Sequence, residues 1–131
     1  LVYPYGPLIK NSALNERDYG DLSGKNKLQT IAKYGKKQVL LWRRSFYECP
    51  PNGESLYDTY QRVIDYFTVS ILPHLRNNKN VLIVAHGNSL RSLVKFIEGL
   101  SDTQIIDVEI PTASWVVYNY QENFSDIRKL I

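Results

Sequence analysis

The 131-residue chain has a single cysteine and no methionine, and it lacks any apolar run near the roughly 20 residues that span a bilayer. Cys49 alone can form neither an intramolecular disulfide nor a cysteine-rich metal site. Because no histidine, lysine or arginine adjoins it in sequence, we expect a packed or idle thiol rather than a reactive one. No charged-then-apolar leader opens the chain, and these absences together favour a cytoplasmic protein without a membrane segment.

The chain also carries little net charge. The formal net charge is only +3 at pH 7, which hints at an anionic partner but is too small to demand nucleic acid. A small phosphorylated substrate would account for it equally well. Apolar residues make up 44% of the chain and charged residues 22%, as in an ordinary globular protein. We therefore predict one domain over 1–131 and expect neither nucleic acid nor a membrane as partner.

Apolar periodicity predicts helices alternating with short strands. Helical spacing occurs in the segments 26–34, 37–43, 56–75, 89–99 and 102–106. Ser55, with Asp58 three residues later, offers near-capping-box chemistry for the third helix. The unbroken apolar run 81–85 is typical of a parallel strand buried on both faces, and 115–118 is predicted as a last strand. The pattern indicates an α/β fold that follows an irregular lead-in or short edge strand over 1–13.

A histidine follows the predicted buried strand directly. In an open α/β sheet, ligands bind beyond the carboxyl ends of the strands, and His86 lies at such an end. Gly87 lets the backbone approach a ligand, and the amides from Asn88 to Leu90 open a helix whose N-terminus attracts anions. The segment therefore predicts a phosphate site, and the alternative is a histidine that caps the helix or packs in the core.

Two other segments concentrate charged side chains. LNERDYGDLSGKNK, residues 14–27, gathers carboxylate, guanidinium, phenol and ammonium groups in a turn-rich loop, which taken alone could be a solvated loop. WRRS, residues 42–45, sets two arginines beside a tryptophan. Arginine forks suit bidentate contact with phosphate or carboxylate oxygens, and the alternative is a surface ion-pair site.

Taken in order, LNERDYGDLSGKNK, WRRS, PPNGESLYDT and VAHGNSLRSLVK closely resemble the cofactor-dependent phosphoglycerate mutases of the histidine phosphatase superfamily. The resemblance runs from about Leu8 to about Tyr118. It implies a three-layer α/β/α fold with a mostly parallel sheet, here incomplete at the amino terminus. It also implies interconversion of 3-phosphoglycerate and 2-phosphoglycerate in glycolysis and gluconeogenesis. The family reaction proceeds through a phosphohistidine primed by 2,3-bisphosphoglycerate, without a metal.

The resemblance assigns roles to individual residues. Glu16 matches the family's proton donor and acceptor, and His86 matches the histidine that contacts the transferring phosphoryl group. Fixed donors supply the positioning and electrostatics that phosphoryl transfer mostly needs. The positions that match contacts to the phosphate and carboxylate of a small phosphorylated substrate are Arg17, Tyr19, Lys27, Arg43, Arg44, Gly87 and Asn88. Because mutases of this kind are often dimers or tetramers, a homodimer is a candidate assembly.

The family's nucleophile motif, Arg-His-Gly, occurs nowhere in the chain. Besides His86, the chain has only His74, which falls on the predicted long helix. One histidine must carry the phosphoryl group while another polarises it, so His86 could not take both roles. The chain therefore resembles the carboxyl-terminal part of a mutase, and we expect it to be inactive alone, with the apolar neighbours of the lost strand uncovered. A smaller departure is Ala113, where the family usually has glycine.

Three hypotheses follow. The chain is part of a phosphoglycerate mutase whose amino-terminal portion is absent, or a remnant that folds without catalysing, or a phosphate-binding half-protein that needs a partner chain. The sequence leaves open the balance among mutase, bisphosphoglycerate phosphatase and synthase activities.

Overall fold

A computed structural model describes residues 6–121, and helices account for most of the regular structure in that range. The α-helices are α1 (Lys27–Tyr34), α2 (Lys36–Arg44), α3 (Leu56–Tyr66), α4 (Leu72–Arg76), α5 (Gly87–Glu98) and α6 (Gln104–Asp107). Short 3-10 turns lie at Ser12–Leu14 and Gly20–Leu22. None of the helices in the described range is long and apolar enough to cross a membrane.

Local capping explains where the helices begin and end. Asn26 caps α1 by accepting a hydrogen bond from the Leu28 amide, and Gly35, at φ 83°, separates α1 from α2. The predicted capping box of α3 is confirmed, because Ser55 accepts from the Asp58 amide and the Asp58 side chain accepts from the Ser55 amide. Gly99, in the left-handed region, ends α5 as predicted.

The long helix predicted over 56–75 is continuous but contains a wider π-helical turn. Phe67–Ile71 forms this turn between α3 and α4. Pro73 follows at the start of α4 and has no amide proton to donate, so the regular hydrogen-bond ladder cannot run through it unchanged. The sequence pattern located the helix but not the turn within it.

The main core lies between this long helix and α5. It consists of Val63, Phe67, Ile71, Leu72 and Leu93, with partly buried neighbours such as Leu14 and Ile83 packed against it. The helical spacing of these apolar residues gives each helix one buried face. A second cluster, made of Phe46, Leu56 and Ile105, joins the end of α2 to α3 and α6. These two cores place the N-terminus of α5 beside the 14–20 loop.

The two predicted strands are not formed within residues 6–121. The run 81–85 has no regular structure and no ladder partner within that range, and Leu82 and Val84 are 71% and 83% exposed, which corrects the prediction of burial on both faces. Along 115–118 only Val117 makes an isolated bridge, and Trp115 is exposed. A strand needs a neighbour to take up its backbone hydrogen bonds, and the described residues supply none to 81–85.

The predicted lead-in and the segment around Ala113 lie near the two ends of the described range. Residues 6–11 have no regular structure, which fits the irregular lead-in rather than an edge strand, and residues 1–5 lie outside the described range. Ala113 adopts φ 58°, in the left-handed region that glycine favours. The backbone at this position thus has the shape that the family's usual glycine would permit without strain.

Candidate functional site

The carboxylate of Glu16 lies at the N-terminus of α5. Its Oε1 accepts hydrogen bonds from the Asn88 amide at 3.1 Å and from the Arg17 amide at 2.8 Å. A side chain at Gly87 would place its Cβ 3.8 Å from Glu16 Oε2, so the two segments are in close contact. The carboxylate therefore takes up part of the anion-attracting end of the helix that the sequence predicted for phosphate.

The Asn88 side chain links the 14–20 loop to α5. Its Nδ2 donates to the Tyr19 hydroxyl at 3.2 Å, and its Oδ1 accepts from Arg91 Nη1 at 3.2 Å. Arg91 also donates from Nη2 to the carbonyls of Ile105 and Ile106, at 2.6 and 2.9 Å. Because Arg91 can only donate, it fixes the Asn88 amide with its oxygen towards Arg91 and its nitrogen towards Tyr19.

Arg17 is buried, with 3% of its surface exposed, and its guanidinium mainly contacts backbone. Nε donates to the Glu54 carbonyl at 2.7 Å, and Nη2 donates to the carbonyls of Trp42 and Glu48 at 2.9 and 3.1 Å. The guanidinium also lies 5.0 Å from the centre of the Tyr19 ring. Burial lowers the pKa of Arg17 from its usual value. These contacts tie the 14–20 loop to α2 and to the segment 48–54, and the predicted substrate contact of Arg17 stays a prediction.

A cleft of about 610 Å³ opens between α1, α2, α5 and the segment 108–111. This volume suits a small ligand, since binding pockets commonly measure about 300–1,000 Å³. Its polar lining includes one carboxylate, Glu109, and many cationic or neutral donors. These donors are Tyr19, Lys27, Lys36, Arg43, Arg44 and Arg91, with Gly87 beside them. The excess of cationic groups makes the cleft electrostatically suited to an anion.

The structure brings most of the predicted site residues together. Five of them, Tyr19, Lys27, Arg43, Arg44 and Gly87, line the cleft. Glu16 and Asn88 join it through the contacts to Gly87 and Tyr19. The cleft and the carboxylate are therefore two sides of one region at the start of α5.

His86 stands at the edge of this region. It is the residue before the first turn of α5, and its carbonyl accepts from the Leu90 amide at 2.9 Å. Its side chain does not cap the helix, and within the described residues its ring makes no hydrogen bond. The residue is exposed, which argues against the alternative of a packed core histidine. An exposed imidazole at this position is accessible to a ligand.

Sequence reasoning missed two cations of the cleft and one ion pair behind it. Lys36 and Arg91 line the cleft, and Arg62 forms an ion pair with Glu54 next to the 14–20 loop. Arg91 had a readable signal, because it lies one helical turn after Asn88 in the same motif. Arg62 had none, since its partners in the loop, Ala13 and Glu16, lie 49 and 46 residues earlier in the chain.

Among residues 6–121, no group of three histidine, cysteine, aspartate or glutamate side chains could hold a metal ion. The site in this part of the chain is thus built from guanidinium, ammonium, hydroxyl, amide and carboxylate groups.

Comparison with known proteins gives a consistent family. The model of the histidine phosphatase superfamily (branch 1) matches residues 5–131. The 2,3-bisphosphoglycerate-dependent phosphoglycerate mutase of Chlamydia pneumoniae is 54% identical over 117 residues, which are 89% of this chain and 51% of that protein. The enzyme of the same name from Chlamydia abortus is 57% identical over 112 residues, 86% of this chain and 49% of that protein. The chain thus spans about half the length of these curated relatives.

Solved structures support the same fold at low sequence identity. The alpha-ribazole phosphatase from Shigella flexneri superposes with a TM-score of 0.74 at 20% identity, over 95% of this chain and 60% of that one. A protein described as mycobacterial hydrolase 1 gives a TM-score of 0.72 at 22% identity, over 92% and 61%. These neighbours support an α/β, phosphoglycerate mutase-like fold, although the sheet itself is not formed within residues 6–121.

Proposed function

The chain belongs to the histidine phosphatase superfamily, and on that premise we propose that it is the substrate-binding part of a 2,3-bisphosphoglycerate-dependent phosphoglycerate mutase. The complete enzyme would interconvert 3-phosphoglycerate and 2-phosphoglycerate in glycolysis. Support comes from the chlamydial relatives of that name and from the order of the motifs along the chain.

One observation carries the proposal: a cationic cleft meets a carboxylate at the N-terminus of a helix. Arg43 and Arg44 lie in the last turn of α2, and together with Lys27 they line the cleft. A phosphoglycerate carries a phosphate and a carboxylate, and arginine forks bind both groups in a bidentate manner. The Glu16 carboxylate lies next to Gly87, at the same helix end, with its Oε2 3.8 Å from where a Cβ on Gly87 would stand. The substrate hydroxyl would then lie between the anion-binding donors and a proton acceptor.

The chemistry assigned to this chain is positioning and proton transfer. Glu16 would take the proton from the substrate hydroxyl as that oxygen attacks the phosphorus of the phosphohistidine. In the reverse direction it would return the proton to the oxygen as the phosphoryl group leaves. The cationic groups of the cleft, Arg43 and Arg44 among them, would stabilise the negative charge on the transferring group, with the exposed ring of His86 beside it.

The phosphoryl carrier must come from a further segment. Neither His86 nor His74 stands in an Arg-His-Gly sequence, and His74 lies within helix α4. We therefore propose that an Arg-His-Gly segment outside these residues completes the site. The unpaired run 81–85, with Leu82 and Val84 exposed, is the surface that such a segment would cover.

Mutase assays decide between the complete-enzyme proposal and its alternatives. The 131-residue chain, supplied with 3-phosphoglycerate and 2,3-bisphosphoglycerate, should show no turnover. The same chain expressed with the Arg-His-Gly segment of its own upstream reading frame should show turnover. In that enzyme Glu16→Gln should lower kcat by about 100-fold or more, the usual scale for loss of an acid-base group. Robust turnover by the chain alone, or an unchanged rate for Glu16→Gln, would overturn the assignment.

A second candidate is a non-catalytic, phosphate-binding half-protein that works with a partner chain. The absence of Arg-His-Gly from these 131 residues favours it over a self-sufficient enzyme. Copurification with a separate chain that carries Arg-His-Gly would support this candidate, and a reading frame that encodes the motif directly upstream would exclude it.

We also propose a homodimer, and sedimentation equilibrium at micromolar concentration should give twice the monomer mass.

A further inference from the structure

We propose that Arg62 is a positioning residue that holds the loop carrying Glu16 in register with the N-terminus of α5. The inference rests on the proposed role of Glu16 as the acid-base group. Arg62 lies on α3, at the back of the site, and does not line the cleft. Its task would be to fix the carboxylate without touching substrate.

The first observation is that Arg62 contacts the loop on both sides of Asn15. Nη1 donates to the Ala13 carbonyl at 2.6 Å, and Nη2 donates to the Glu16 carbonyl at 3.1 Å. The second contact is to the backbone of the proposed catalytic residue itself. These two hydrogen bonds connect α3 directly to residues 46 and 49 positions earlier in the chain.

The second observation is that Glu54 orients Arg62 and also holds the loop. Arg62 Nε lies 2.7 Å from Glu54 Oε1, and Nη2 lies 2.9 Å from Oε2, so the two groups meet fork to fork. Glu54 Oε2 also accepts from the Asp18 amide at 3.0 Å and from the Thr59 hydroxyl at 3.2 Å. The Glu54 amide in turn donates to the Asp18 carbonyl at 2.7 Å.

The segment that carries Glu16 is therefore held by hydrogen bonds at several points. Arg62 holds the carbonyls of residues 13 and 16, Glu54 holds residue 18, and the carboxylate is bound by the Asn88 amide. Both side chains of the ion pair are only 25% exposed, so solvent screens the pair less than a surface pair. The Ser89 hydroxyl holds the neighbouring Asn15 carbonyl, and the Arg62 contact to the Glu16 carbonyl itself adds a further limit on where the carboxylate can lie.

Lysine cannot reproduce this arrangement. Arg62 uses three nitrogen atoms at fixed angles, whereas lysine offers one compact ammonium group. Arg62→Lys keeps the charge but must give up at least part of the fork or the loop contacts. Since a misplacement of about 1 Å in an active site costs on the order of 100-fold in rate, a partial loosening should be measurable in kcat.

A first test monitors the position of the Glu16 carboxylate by NMR and needs no activity assay. The Asn88 amide resonance of the 131-residue chain reports its hydrogen bond to Glu16, and Glu16→Gln should move it. Arg62→Lys should move the same resonance in the same direction. The matched control is Asp102→Asn, which removes a carboxylate paired with Lys95 at 2.9 Å, away from the cleft, and should leave the resonance in place. An Asn88 resonance that is unmoved in Arg62→Lys would overturn the proposal.

A second test uses a kinetic cycle in the enzyme completed with its Arg-His-Gly segment. Arg62→Lys should lower kcat by about 10-fold with KM within about 2-fold, because a misplaced acid-base group affects the chemical step. In the Glu16→Gln background the same change should lower kcat by less than about 2-fold, since the group it positions is already lost. Equal losses in both backgrounds would indicate a purely structural role and contradict the proposal.

The two tests separate the inference from the function on which it rests. If the completed wild-type enzyme shows no mutase turnover, the proposed function fails, while the amide measurement still decides whether Arg62 positions Glu16. If turnover is robust and the kinetic cycle is additive, the function stands and the positioning role falls.

Discussion

Replacing Gly20 tests most directly how the 14–20 loop packs against the 50–53 turn. It adopts φ 53°, and a Cβ at this position would lie well inside 3.0 Å of backbone atoms of Pro51, Asn52 and Gly53. Those atoms belong to a turn that also holds the loop through the hydrogen bond from the Asp21 amide to the Pro51 carbonyl, at 2.9 Å. Gly20→Ala must therefore push the loop and the turn apart.

The magnitude follows from a comparison with Gly24, in the same 14–27 segment. Gly24 also has positive φ, at 71°, but a Cβ there would meet nothing within 4 Å. Both substitutions carry the left-handed cost of about 1–2 kcal/mol, partly offset by about 0.4–1 kcal/mol from the stiffer unfolded chain. Only Gly20→Ala adds overpacking, typically about 1–3 kcal/mol. We expect a loss of about 1 kcal/mol for Gly24→Ala and about 3 kcal/mol for Gly20→Ala.

Urea unfolding followed by tryptophan fluorescence measures both losses against the wild-type chain. Because the two variants share the backbone penalty, the difference between them isolates the clash with the 50–53 turn. Equal losses for the two variants would refute the close contact between this turn and the loop that carries Tyr19.

Three further changes test other parts of the structure. Ser55→Ala removes one half of the capping box and should lower the free energy of unfolding by about 1 kcal/mol, and no change in a urea titration would contradict the cap. The hydrogen bond from Arg62 holds the pKa of Glu54 below its ordinary 4.5, so this carboxylate stabilises the fold above that value and the contribution is lost as the pH falls through the lowered pKa. Glu54→Gln should therefore flatten the decline in stability below about pH 5, and an unchanged acid limb would argue against the ion pair. Val84→Thr should change the unfolding free energy of the 131-residue chain by less than about 0.5 kcal/mol because Val84 is exposed, and a larger loss would indicate that this segment is covered.

Local chemistry made the helices predictable from sequence. Ser55 with Asp58, Gly35 and Gly99 are signals that act within a few residues, and each one begins or ends a helix where expected. The motifs likewise identified residues that the fold brings to one cleft, because each motif lies at the end of such a helix or in a loop beside one. The helix start at Gly87 differs by two residues from the predicted start at Ser89, since His86 is the first residue outside the helix.

What the sequence could not supply depends on contacts between distant segments. The run 81–85 has the composition of a buried strand, but a strand is completed by a neighbour, and residues 6–121 provide none for it. The role of Arg62 depends on three segments meeting in space, and nothing in its own neighbourhood indicates those partners. Arg17 shows the same limit, because an arginine predicted to contact substrate donates mainly to backbone carbonyls.

Vanadate soaked into crystals of the 131-residue chain tests the anion site most directly. The predicted result is ordered vanadate in the region between the Glu16 carboxylate and the His86 ring, contacted by donors of the cleft such as Arg44. Crystals that diffract well and show the Glu16 and His86 side chains but no vanadate in that region would contradict the assembly of these loops into one phosphoryl site.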